Sequence, residues 1–247
     1  MSKIYLIGIG HRARSGKDTV ANFISQKREN VITYHFADPL KEEVMNKDRK
    51  IPLIYREKSR FSDHYWYSIW SHEGEYRTIV ESGLPFLHKI FEDRGITEYW
   101  GMNGNGCDEH KDSLMLQFWG TDWRRQRFGS DYWVKRVENY LIHTVTFREF
   151  KGNWYFLLPD TRFKNEVNWI KSVKQNINAE SLYVKVVRYN TDDTPYYDPD
   201  RDPNHPSEID LEEYQPDYLI KAHSGEMDVL EKQTELLLDT IEAKIND

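Results

Sequence analysis

The stretch Ile4-Tyr5-Leu6-Ile7-Gly8-Ile9-Gly10-His11-Arg12-Ala13-Arg14-Ser15-Gly16-Lys17-Asp18-Thr19 constrains this chain more than any other. It opens on an apolar run over 3–9, suited to a strand buried on both faces. A glycine-containing turn follows, then Gly16-Lys17, then Val20, Phe23, Ile24 and Lys27 at helical spacing to about Arg28. Strand, loop and helix with Gly-Lys at the junction is the layout of a phosphate-binding loop. There, backbone N–H groups and the helix N-terminus face an anion, and the lysine reaches the outer phosphates. Arg14, Ser15, Gly16, Lys17, Asp18 and Thr19 are the candidate phosphate-binding residues. The pattern G-x-x-x-x-G-K-[ST] is met with two departures. His11 stands where its first glycine belongs, with Gly10 one position early, and Asp18 separates Lys17 from the hydroxyl of Thr19.

The rest of the chain has the means to bury such a strand. At 247 residues it can form a sizeable core. Charged residues at 30% against 38% hydrophobic ones describe a soluble globular protein. A net charge of −7 gives no overall basic footprint for nucleic acid or a membrane surface. No apolar run approaches the roughly 20 residues of a membrane span, and no signal peptide is recognisable. The single cysteine, Cys107, excludes an internal disulfide framework and a multi-cysteine zinc site. A cytoplasmic location is expected.

Further strands are expected at 31–37, 154–158, 181–188 and 217–221, with helices between them. Asp38-Pro39 reads as N-cap and first residue of a helix carrying Leu40, Val44 and Met45. Residues 50–112 are aromatic and irregular, with a helix over 86–93 and a loop at 101–106. Helices are also expected at 113–118, at about 131–146, after Phe163, and at the C-terminus with Leu230, Leu237, Ile241 and Ile245 inward. Proline and acidic residues concentrate over 190–212, which reads as a loop or lid. The sum is an α/β fold, a five-stranded parallel sheet with helices on both faces. It forms one domain over 1–247, with a substrate-binding helical insertion at about 38–128 and the lid at about 190–212.

Ligands in such sheets sit beyond the carboxyl ends of the strands. That rim carries the loop after the first strand, Asp38-Pro39 after the second and Asp160-Thr161-Arg162 after the third. Asp18 and Thr19 offer oxygen ligands suited to magnesium; Asp18 is equally a carboxylate favoured at a helix start. Asp160 is either a second metal ligand or a group that orients a neighbour. Arg124, Arg125 and Arg162 flank rim positions, and a guanidinium binds phosphate with two parallel hydrogen bonds. Pairing with one of the many carboxylates is the alternative for each.

Several pieces together resemble a family. They are Arg14-Ser15-Gly16-Lys17-Asp18-Thr19, Ala37-Asp38-Pro39-Leu40-Lys41, Gly120-Thr121-Asp122 with Tyr132-Trp133-Val134-Lys135, and Pro159-Asp160-Thr161-Arg162 with Glu166. Val186-Val187-Arg188 and His205-x-Ser207-Glu208 follow in order. In these the chain is similar to the bacteriophage deoxynucleoside monophosphate kinases of the phosphate-loop kinase superfamily. The resemblance implies a three-layer fold and transfer of the terminal phosphate of ATP to a deoxynucleoside monophosphate, with Mg2+. Lys17 and the loop would hold ATP phosphates. Asp38, Lys41, Arg124, Arg125, Asp160 and Arg162 would serve the acceptor, with Asp18, Thr19 and Asp160 near the metal. Arg188 at the base of the lid would neutralise charge on the transferring group, and Ala222-His223-Ser224-Gly225 would border the adenine. Base preference would lie in the aromatic insertion. No direct nucleic-acid or membrane partner is implied, the location would be the host cytoplasm, and the oligomeric state stays open, a homodimer included. Two other readings compete: a phosphomevalonate- or dephospho-coenzyme A kinase-like enzyme, and a nucleotide- or single-strand-binding protein without catalysis.

Overall fold

The structure, a computed structural model, describes residues 3–45, 52–70, 76–80, 84–102, 112–148, 151–199, 203–204 and 206–243. Along the chain the elements are β1 (Ile4–Gly10), α1 (Lys17–Lys27), β2 (Val31–Thr33), α2 (Asp38–Val44), β3 (Ile54–Lys58), β4 (Tyr65–Trp70), β5 (Tyr76–Val80), α3 (Pro85–Arg94) and β6 (Glu98–Tyr99). There follow α4 (Ser113–Gln117), a π-helical stretch (Phe118–Arg125), α5 (Gln126–Phe128), α6 (Tyr132–Phe147), β7 (Trp154–Thr161), α7 (Lys164–Ile177), β8 (Ala179–Tyr189), α8 (Pro206–Ile209), β9 (Tyr218–His223) and α9 (Met227–Ala243). The chain divides into two compact units, Met1–Phe36 with Val134–Asp247, and Ala37–Trp133.

The first unit is built on a parallel sheet of five strands in the order β2-β7-β1-β8-β9. Alternate residues of β1 face opposite ways, as the period of two requires. Tyr5, Ile7 and Ile9 pack with Val20 and Ile24 of α1 and Leu230, Leu237 and Ile241 of α9. Leu6 joins Val137 and Leu141 of α6 and Ile170 and Val173 of α7 on the other face. Each such leucine or isoleucine, removed from water, contributes roughly 1.5–3 kcal/mol. The result is the three-layer α/β arrangement consistent with a phosphate-loop kinase-like fold.

Two of the expected strand ends move. The second strand, expected over 31–37, keeps its register through Thr33 with a last bond from Tyr34 N–H to the Leu157 carbonyl oxygen at 3.0 Å; beyond it the Phe36 N–H is taken by Asp160 Oδ1 at 2.8 Å. The third strand runs past Pro159 to Thr161. Proline, which lacks the donor a ladder needs, sits where the β1–β7 register shifts: Gly8 faces Leu158, and Gly10 faces Thr161. α2 begins with Ala37, not Asp38, at its N-cap. The Ile245 position in the last helix and most of the loop expected at 101–106 lie outside the described residues.

The second unit corresponds to the expected insertion, but its content is not purely helical. It holds an antiparallel sheet in the order β5-β4-β3-β6. Ile54, Tyr67 and Ile69 turn inward onto Leu87, Ile90 and Phe91 of α3 and onto Met115 and Phe118. Tyr55 and Trp66 turn outward and stay exposed. Aromatic residues thus occupy both faces, and an inward position of β3 is filled by Arg56, stacked 4.6 Å over Tyr65. That pattern hides the period-two signal, so the block reads as irregular. Among the described residues no helix is long and apolar enough to cross a membrane.

Candidate functional site

The loop between β1 and α1 forms where the sheet leaves no room for side chains. A Cβ on Gly10 would lie 2.4 Å from the Thr161 carbonyl oxygen. The next residue, His11, takes φ 115°, a region that L-residues rarely adopt, so the departure from the glycine pattern is absorbed as backbone strain. Arg14 follows with φ 52°. Gly16 closes the loop as the left-handed N-cap of α1 with φ 101°, a conformation open to glycine at no steric cost.

Lys17 starts α1 and is buried, 4% exposed. Its Nζ donates to the Arg12 carbonyl oxygen across the loop. Burial, and then the Arg162 charge, push the ammonium down to about 7, against the pull of Asp18, Glu208 and Asp160. A lysine taken out of water at a helix start stands to regain its charged form beside an anion. Ser15 lies in the same loop, 5% exposed, and among the described residues its hydroxyl has no hydrogen-bond partner. The buried ammonium, the orphaned hydroxyl and the helix start together fit a phosphate group.

Asp18 is exposed on α1 and paired with His35 at 3.6 Å. The hydrogen bond from His35 holds its carboxyl below the usual range. Thr19, half-buried, follows on α1. Asp160 orients a neighbour, Phe36, through one oxygen. Among the described residues no group of three or more His, Cys, Asp or Glu is gathered for a metal. Asp18 and Thr19, in the first turn of α1, are the oxygen-bearing side chains that follow Lys17.

Arg162 follows β7 on the same rim, its side chain 19% exposed. Glu166, 1% exposed, accepts the N–H groups of Arg162 at 2.7 Å and of Phe163 at 3.1 Å. Glu208 of α8 accepts from Arg162 Nη1 at 2.6 Å and from Ala13 N–H at 2.8 Å. Arg188, at the end of β8, donates to Ser224 Oγ and to the Arg14 carbonyl oxygen and stacks 4.0 Å over Tyr196.

The segment 190–212 is tied to the loop. Arg12 stacks over Tyr197 at 4.0 Å and donates to Glu212 at 2.6 Å; Arg14 pairs with Asp198 at 3.2 Å. Lys185 reaches the Glu212 carbonyl oxygen. Amid these cations His11 is 6% exposed, and burial pushes its imidazole down to about 4, so it is neutral near pH 7. Sequence reasoning did not select Arg12, Tyr197, Asp198 or Glu212. Their only signal was the acidic bias of the segment against two loop arginines, which composition cannot pair. His223, expected near an adenine, lines a surface depression with Tyr189, Asp193, Lys221 and Ala222. Its ring is held by Asp193 at 2.8 Å and Glu226 at 2.9 Å.

The remaining expected residues belong to the second unit. Asp38 and Lys41 pair with each other at 3.3 Å. Arg125 is half-buried. Arg124, a candidate phosphate ligand with carboxylate pairing as its alternative, lies in the core. It is 1% exposed and donates through Nε to Glu43, itself 2% exposed, at 2.6 Å. Glu43 also accepts from Trp119 Nε1 at 2.9 Å and the Tyr132 hydroxyl at 2.6 Å. The rings of Tyr132 and Phe128 lie 5.1 and 5.3 Å from the guanidinium carbon. Charge neutralisation by a buried carboxylate accounts for its place.

A scan against protein-family models and a search of curated proteins return no match to this chain.

Proposed function

We propose that the protein is a phosphotransferase that passes the terminal phosphate of ATP to a nucleoside monophosphate, with a deoxynucleotide as the acceptor. The observation that carries this reading is the tie between Arg162 and the Lys17 loop, made by Glu208, which accepts from Arg162 Nη1 at 2.6 Å and from Ala13 N–H at 2.8 Å. A buried lysine at the start of a helix behind a left-handed glycine is the fitting for a polyphosphate. A second cation close enough to depress its ammonium gives a place for a second phosphate. Two phosphate fittings on one rim suit transfer between phosphates better than simple hydrolysis. The sequence resemblance supplies the nucleotide as substrate class.

Phosphoryl transfer asks for position and charge more than for a covalent catalyst. Lys17 and the amides of the loop hold the donor phosphates. Ser15 Oγ, buried beside them, is available to donate to a phosphate oxygen. Arg162 holds the acceptor phosphate, and Arg188 adds charge at the base of the 190–212 segment. That segment, docked over the loop through Arg12 and Arg14, limits the access of water. Magnesium, when bound with the nucleotide, adds charge neutralisation near Asp18 and Thr19.

The test is an assay with ATP, magnesium and a panel of deoxy- and ribonucleoside monophosphates. Formation of a nucleoside diphosphate from a deoxy acceptor is the expected result. Retained ATP binding with no transfer to any of them would overturn the reading and turn attention to other phosphate acceptors.

A further inference from the structure

Glu208 holds a position that a simple phosphate site does not call for. It is a carboxylate, 6% exposed, beside a loop suited to anions. Its negative charge works against phosphate binding there, and an ion pair taken out of water is at best weakly stabilising. What the carboxylate does have is reach. Oε2 accepts from Ala13 N–H at 2.8 Å, inside the loop, and Oε1 accepts from Arg162 Nη1 at 2.6 Å. Ser207 Oγ lies 3.4 Å from Oε1. The backbone of Arg162 is already fixed by Glu166. Glu208 therefore sets the one part of Arg162 that its backbone leaves adjustable, the direction of the guanidinium, and sets it against the loop.

We propose that Glu208 is a positioning residue, which holds the Arg162 guanidinium at a fixed offset from the phosphate loop so that donor and acceptor phosphates are aligned. The proposal rests on the phosphotransferase reading. Glu208 itself need touch neither substrate. Because Glu208 is carried by α8 (Pro206–Ile209), the placement of that turn and the aim of the Arg162 guanidinium are linked.

The proposal gives binding and turnover opposite signs. Glu208→Gln removes a negative charge next to Lys17 and Arg162, so anionic substrates bind as well as before or more tightly. It also removes the charge-assisted anchor of Arg162, and a misplacement of about 1 Å costs on the order of a hundredfold in rate. A side chain with a merely structural role would lower stability without this split.

The experiment uses the full chain with ATP, magnesium and the monophosphate that the wild type turns over fastest. Glu208→Gln, Glu208→Asp, Arg162→Ala and the double variant Glu208→Gln/Arg162→Ala are compared with the wild type, each with its thermal unfolding curve. The expected result for Glu208→Gln is a kcat lower by about a hundredfold with an unchanged or lower KM for the monophosphate. The double variant is then no slower than Arg162→Ala, since both changes remove one arrangement. Glu208→Asp keeps the charge but is one methylene shorter and cannot span both partners. It loses kcat without tighter binding, and it carries the test should the glutamine variant not fold. Wild-type kcat in a folded Glu208→Gln or Glu208→Asp protein overturns the proposal, as do losses that multiply in the double variant. A wild type that transfers phosphate to no monophosphate removes the phosphotransferase reading first, and this inference with it.

Discussion

Each unit of the molecule holds an arginine–glutamate pair of the same length, and the two differ in what encloses the arginine. Arg124 and Glu43 meet at 2.6 Å, 1% and 2% exposed, with aromatic rings around them. Arg162 and Glu208 also meet at 2.6 Å, but Arg162 is 19% exposed, beside Lys17 and the loop. An ion pair therefore does not by itself distinguish an arginine of the core from one at the candidate site. The difference lies in what surrounds it. Rings and a fully used carboxylate close the first guanidinium in, whereas the second stands on the sheet rim, joined through Glu208 to the loop that carries Lys17.

The largest effect expected is at the loop. Lys17→Ala should reduce phosphoryl transfer by on the order of a thousandfold. Burial already disfavours its ammonium, so the variant should unfold near the wild-type temperature, as circular dichroism would show. Near-normal turnover in the folded variant would break the assignment of the loop.

Next comes the buried pair. Glu43→Ala leaves Arg124 charged in the core and should cost about 3–5 kcal/mol of stability in urea unfolding. Replacing both partners by apolar residues, Glu43→Leu with Arg124→Met, should recover much of that loss. A stable Glu43→Ala protein with altered use of the acceptor would move this pair into the same class as Arg162.

Arg162→Ala sharpens the comparison from the other side. It should raise the KM for the monophosphate about tenfold or more, and it should cost about 1–3 kcal/mol of stability, because Glu208, 6% exposed, loses its cation but keeps the Ala13 N–H. An unchanged dependence on acceptor concentration would remove Arg162 from the site.

Two proton-linked effects are smaller. The Lys17 ammonium is lowered from 10.5 to about 7, so between those values the unfolded chain holds a proton that the folded one lacks. Its contribution to stability therefore rises with pH across that window. A bound phosphate favours the ammonium, so tripolyphosphate binding at pH 8 should take up a proton. Calorimetry in buffers of different ionisation enthalpy reads this directly. His223 behaves in the opposite sense. Asp193 and Glu226 raise its value above 6.5, so its support of the Asp193 turn is complete below 6.5 and is lost as pH rises through the folded value. Amide exchange over 190–194 should quicken across that rise.

How much of this was legible in the sequence differs by unit. The parallel sheet was, because β1, β7 and β8 are buried on both faces and read as apolar runs bounded by turns. The loop was, because Gly16-Lys17 fixes a local geometry over a few residues. The strands of the inserted unit were not, since Arg56 faces inward while Tyr55 and Trp66 face out. The fate of Arg124 was not either. Its partner Glu43 lies 81 residues away, and no local pattern announces such a pairing. The same holds for Glu208 and Ala13, 195 residues apart.

Gly10 and Thr161 stand side by side in adjacent parallel strands, and His11 N–H reaches the Thr161 carbonyl oxygen at 3.4 Å. The loop and Arg162 are thus the free ends of two neighbouring rungs, and the spacing of strands, about 4.8 Å, sets the gap between their roots. The sheet acts as a gauge block. A ligand that fits the gap finds it ready, and one that is a bond too long meets the stiffest part of the molecule rather than a surface that yields. The separation of these two roots is then a property of the backbone, hard to alter by exchanging side chains and easily changed by inserting one residue after Gly10.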